Sequence, residues 1–142
     1  MKRVTIDTVM SWGPCEAYTR QRVTKLFAGR KTVSALNILD MGIPDEDKIW
    51  AAVRASTKPQ YVEFACQCAE SVLPLYETYY PDGKRPRQCI DITRRYMAGD
   101  ATKDELYTAA EAADAARAAA GAAEHAKQVD MLRRILVEGG AE

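Results

Sequence analysis

Glycine and proline cut this chain into pieces of helical length, and that punctuation limits the fold more than any other feature. Gly13-Pro14, Gly29, Gly42 with Pro44, Lys58-Pro59, the Pro81 to Pro86 turn and Gly99 mark the breaks. Glycine suits the residue just past a helix end and proline the first helical turn. The intervening pieces lack the period-two alternation of half-buried strands, and their apolar residues recur at helical spacing. The expected fold is all-α: a single-domain bundle spanning residues 1 to 142, with about six to seven helices. Short connections imply antiparallel neighbours.

Piece by piece, "TIDTVMSW" forms a short helix closed by Gly13. "PCEAYTRQRVTKLFAG" is helical from Pro14 to Gly29, with Ala17, Val23, Leu26 and Phe27 on its apolar face. Thr32 caps "TVSALNILDMG". Asp45, Glu46 and Asp47 crowd the first turn of "PDEDKIWAAVRAS", where the helix dipole favours negative charge. Trp50 in that segment reads as a core anchor. A long helix follows from Lys58-Pro59 through Tyr80, kinked at Pro74 because proline removes a backbone donor. Pro86 starts another, which stops at Gly99. "TKDE" is a capping box, Thr102 with Glu105, and launches a helix from about Lys103 to about Glu138. Within it, "TAAEAADAARAAAGAAEHA" at 108 to 126 is nearly all alanine, the best helix former. That stretch reads as a closely packed helix or as a smooth docking face for a second copy of the chain.

"FACQCAE" raises the question of chemistry. Residues two apart on a helix differ by about 200° in direction, so Cys66 and Cys68 cannot readily share one metal. A thiol nucleophile needs a base, and His125 is the one histidine in the chain. An enzyme built on Cys66 or Cys89 with His125 is therefore disfavoured, and Cys66 belongs to an apolar face with Val62, Ala65, Ala69, Val72, Leu73 and Tyr76. No nucleophile elbow, phosphate-cradling glycine loop or calcium loop is present, and no cofactor or metal site is expected. With no signal-length apolar run and no membrane-spanning stretch, the four cysteines read as thiols in a cytoplasmic protein.

Basic and acidic residues balance at twenty each, which disfavours both a generic nucleic-acid binder and a DNA mimic. The charges nevertheless fall in blocks. Residues 59 to 82 carry four acids and no base, and residues 83 to 97 carry five bases against Asp91 alone. The basic block reads as a solvated face paired with acids of the alanine-rich helix, or as a patch for an acidic partner. Asp91, four residues from both Arg87 and Arg95, neutralises part of it. Tyrosine and arginine dominate interaction hot spots. The candidate partner-binding residues are thus Tyr79, Tyr80, Lys84, Arg85, Arg87 and Arg94, with Glu111 and Asp114 as a polar edge on the alanine-rich helix. Nucleic-acid binding through residues 84 to 95 is the alternative.

Two quoted stretches carry a family resemblance. "DKIWAAVRASTKPQYVEFACQCAESVL" is similar to a block in small helical proteins of bacteria and their phages. "CAESVLPLYETYYPDGKRPRQCIDITRRYMAGD" resembles the all-helical immunity proteins of bacterial polymorphic toxin systems. The resemblance covers about residues 45 to 125, with a weaker "GPCEAY" near the start. Arg85, Pro86 and Arg87 match the family's basic turn, and Glu70 and Asp82 match its acids. Asp82-Gly83 stands where the family has Asp-Asp, and Gln60–Val62 where it often has a histidine. The resemblance implies a cytoplasmic, non-catalytic protein that binds and blocks another protein, either a toxin or, for a phage-encoded anti-defence inhibitor, a host nuclease or CRISPR effector.

Overall fold

The computed structural model describes residues 1–105 and 125–139, without the side chains at 75, 76, 79, 85, 125 and 126. Helices dominate, as the punctuation implies. α1 (Ile6–Ser11) is capped by Thr5, whose hydroxyl accepts from the Thr8 amide. α2 (Arg20–Phe27) starts later than the sequence suggests. Thr19 caps it by accepting from the Arg22 amide, so residues 14 to 19 are turn, and Ala17, expected on an apolar face, is exposed. A side-chain cap fixes a helix start more strongly than a permissive proline five residues upstream. Ala28 closes α2 in the left-handed region at φ 49°, followed by Gly29 at φ 77°.

Two short strands were not anticipated. β1 (Arg3–Val4) and β2 (Val33–Ser34) pair antiparallel, Val4 opposite Val33. They are too short to show an alternation. Arg3 ties the pair further, its Nε donating to Thr32 Oγ1 at 2.8 Å and its Nη2 to the Thr32 carbonyl at 2.9 Å. Ser34, rather than Thr32, caps α3 (Ala35–Leu39), in a capping box with Asn37.

α4 (Asp45–Ala55) and α5 (Lys58–Tyr79) follow, the latter running on through Pro74. α6 (Arg85–Met97) returns antiparallel to α5 after the Pro81 to Lys84 turn, and Gly99, at φ 86°, follows its end. Thr102 and Glu105 form the expected capping box, the Glu105 amide donating to Thr102 Oγ1 at 3.2 Å and the Thr102 amide to Glu105 Oε1 at 3.4 Å. Residues 103–105 open a helix there. The alanine-rich stretch at 108 to 124, with Glu111 and Asp114, lies outside the described residues. α7 (His125–Gly139) completes the described chain.

Buried side chains form two clusters. The larger joins Val4, Val23, Phe27, Val33, Ile38, Leu39, Ala52 and Ala55 to Phe64 of α5 and to Val129, Leu132, Ile135 and Leu136 of α7. The smaller holds Cys66, Ala69 and Leu73 of α5 against Ile90 of α6, with Val62 at its edge. α5 belongs to both, which is why its apolar residues surround the helix instead of lining one stripe. Among the described residues no helix is long and apolar enough to cross a membrane.

Candidate functional site

The two cysteines of "FACQCAE" divide between these clusters. Cys66 is 4% exposed in the smaller one, whereas Cys68 packs, half-buried, against the larger one beside Phe64. Burial pushes the Cys66 thiol up to about 11, so it stays protonated near neutrality. A protonated, buried thiol is a poor nucleophile. The motif spaces two core contacts on opposite sides of one helix.

The chemistry of the α5–α6 hairpin is ionic. Glu63, Glu70 and Glu77 recur every seven residues and lie along the side of α5 that faces α6. Arg94 and Arg87, also seven apart, answer them in antiparallel order. Arg94 donates from Nη2 and Nε to Glu63 at 2.8 and 3.1 Å, and from Nη1 to Glu70. Arg87 pairs with Glu77 at 2.9 Å. Gln67 Nε2 donates to Glu63 Oε1 at 3.0 Å. The Arg94 hydrogen bonds hold the Glu63 carboxyl below its ordinary value of 4.5, against the opposing effect of burial. The same bonds to Glu63, then Glu70, make Arg94 harder still to deprotonate.

This ladder bears directly on the expected site residues. Arg94 and Arg87 are engaged by acids of α5, the block of residues 59 to 82 in which the sequence has no base. Arg95 donates to the Asp100 carbonyl at 3.2 Å. Much of the charge that would grip a nucleic-acid backbone is thus answered within the chain. Tyr80, 60% exposed, and Lys84, also exposed, stand at the hairpin tip. Tyr79 closes α5 and Arg85 opens α6, so both belong to the same corner. Tyr80, Lys84 and Arg87 are therefore gathered on one turn, with Arg94 about two helical turns away along α6.

Sequence reasoning missed a second feature, on α4. Trp50, expected as a core anchor, is half-buried. It meets Trp12 edge-to-face with ring centroids 6.2 Å apart and carries the Arg54 guanidinium 3.9 Å above its ring. Beside it opens a cavity of about 180 Å³ between α2, α3, α4 and the turn at residues 14 to 18.

These features define a small, mostly helical protein that exposes Tyr80 and Lys84 at one hairpin tip above a ladder of ion pairs. The model of the Imm-5 like putative immunity protein family matches residues 51–133, from within α4 into α7. That is more than half of the chain, and the chain belongs to this family. No curated protein and no solved structure matches it. Family membership points to an immunity role, exercised by binding another protein.

Proposed function

We propose that the chain neutralises a protein toxin by covering it with the α5–α6 corner: Tyr79, Tyr80, Lys84, Arg85 and Arg87. The single observation that supports this most is the 60% exposure of Tyr80 beside exposed Lys84, on a hairpin inside the family-matched segment. An exposed aromatic ring next to a cation is what a buried interface core uses as an anchor. The ladder beneath it holds the two helices in one register, so the corner is presented in a single arrangement and loses little entropy on binding. Arg94 contributes by holding that register; Glu111 and Asp114, the remaining candidates, lie outside the described residues. The toxin face is acidic, and binding takes place in the cytoplasm.

Co-expression with candidate toxins, each tested for growth inhibition in the chain's absence, tests this. The unaltered chain should restore growth. Tyr80→Ala should weaken the complex by about thirtyfold, the scale of a hot-spot residue, and Lys84→Glu should reduce both rescue and on-rate. Full rescue by a folded double variant would remove the corner from the interface.

A further inference from the structure

The cavity near the N-terminus lies on residues 9 to 51, ahead of all but the first residue of the family-matched segment. Its chemistry therefore does not depend on the partner reading above. Val9, Leu26, Ile38, Met41, Ile43 and Ala51 supply apolar walls. Among the residues lining it, Asp47 alone carries a charge. Tyr18 donates its hydroxyl to Asp47 Oδ2 at 2.5 Å, holding the carboxylate at the cavity wall. Arg22 of α2 lies 4.1 Å over the Tyr18 ring and donates to the Ala17 carbonyl at 3.0 Å.

An apolar cavity of ~150 Å³ accommodates benzene, so 180 Å³ suits a single ring with a short substituent. A carboxylate only accepts hydrogen bonds, and its strongest partner is a cationic donor. We propose that this cavity is a binding site for a small apolar amine, a ring or branched alkyl body carrying one ammonium group, with the body against Ile43, Met41 and Ala51 and the ammonium on Asp47. Anions are rejected by the same carboxylate. Burial and the Asp47 bond push the Tyr18 hydroxyl up to about 12, so no competing phenolate forms near neutrality. Tyr18 acts as the positioning residue, fixing one oxygen of the Asp47 carboxylate that lines the cavity.

Three isosteric probes separate the contributions: benzylammonium, benzyl alcohol and benzoate, titrated into the full-length protein and followed by amide chemical shifts. Benzylammonium should shift Val9, Ile43 and Ala51 saturably and bind roughly tenfold or more tightly than benzyl alcohol, as a charge-assisted hydrogen bond requires. Benzoate should leave those amides unmoved. Asp47→Asn should bring benzylammonium down to the affinity of the alcohol, and Ala51→Phe, which fills the cavity, should abolish both. Equal binding of alcohol and ammonium by the unaltered protein would overturn the proposal, as would no saturable shift with benzylammonium at millimolar concentration. Both of those results are read on the native chain, so they stand whether or not a variant folds.

Discussion

The two buried clusters show two ways of holding helices together. The larger is a conventional apolar core, in which Val33 and Leu132 are fully buried and Leu39 and Leu136 nearly so. It collects contributions from both strands and from α2, α3, α4, α5 and α7, and its periphery is closed by local devices. The Ser34–Asn37 capping box is one, and Arg133 reaching Asp40 at 2.8 Å is another. The smaller cluster rests on Cys66, Ala69, Leu73 and Ile90. Beside that modest apolar contact runs the ladder of three glutamates and two arginines. Hydrophobic burial is non-directional and tolerates sliding. Charged pairs at seven-residue spacing fix one register and one antiparallel alignment. If the α5–α6 tip is the proposed binding corner, it gains from the second arrangement, because its task is to hold a geometry. A core gains from the first, because its task is to hold the chain together.

The sharpest way to break this contrast is to empty each cluster in turn. Leu132→Ala should destabilise the protein by about 3–4 kcal/mol, since the site is fully enclosed and collapses poorly around a cavity. The loss should be global, lowering the thermal midpoint and speeding amide exchange everywhere. Leu73→Ala should cost less, about 2 kcal/mol, at the lower end for such truncations, because the smaller cluster sets fewer buried residues around it. Its exchange signature should concentrate in α6 and the second half of α5. Uniform exchange in both variants would mean that the clusters melt as one unit.

Much of this was legible in the sequence, for reasons that particular residues make plain. Glycine and proline marked the helices because their backbone constraints are local. Gly13, Gly29 and Gly99 all take positive φ values that other residues avoid. The start of α2 was missed because Thr19 competes with Pro14 as a start signal, and tertiary contacts decided the matter: Tyr18 is drawn to Asp47, far along the chain. The strands were missed because two residues carry no period. Trp50 was placed in the core by its neighbours Ile49 and Val53, whereas the structure sets it at a cavity wall against Trp12 and Arg54. The ladder was readable in principle. Glutamates at 63, 70 and 77 opposite arginines at 87 and 94 share one spacing, but pairing them needs the knowledge that α5 and α6 are antiparallel neighbours. Without it, Asp91 looked like the partner of Arg87, whose guanidinium in fact reaches Glu77.

The ladder itself supplies the next test of the contrast. Arg94→Met keeps the length and apolar stem of the side chain while removing three hydrogen bonds. The groups involved are more than a third exposed, so solvent screening keeps the cost to about 1 kcal/mol. The sign of the pH dependence follows from Glu63. Its folded-state carboxyl lies below the ordinary value of 4.5, so its contribution is fully present above that value. It is lost as the pH falls through the lowered folded value. Acid should therefore loosen the α5–α6 hairpin before the larger core, and Arg94→Met should flatten that part of the stability profile. Acid profiles of identical shape for the variant and the unaltered protein would show that the Arg94–Glu63 contact adds no stability.

The smallest expected effect lies at the tip end of the same ladder. Arg87 is largely exposed where it meets Glu77, at 63% of its side-chain surface, and an exposed pair of this kind contributes at most about 0.5 kcal/mol. Glu77→Gln should thus leave the melting temperature almost unchanged and insensitive to salt. If the ladder sets register, its effect should instead appear in the arrangement of the corner: amide shifts at Tyr80, Gly83 and Lys84 should move, and toxin affinity should fall with them. A double-mutant cycle of Glu77→Gln with Arg87→Gln separates the two roles, because the pair's coupling is measured once in stability and once in binding. Coupling that is larger in binding than in stability would show that these charges position the corner. Coupling that is equal in both, or absent, would reduce the outer rung to a solvated surface pair and leave the register to Arg94 and its two glutamates.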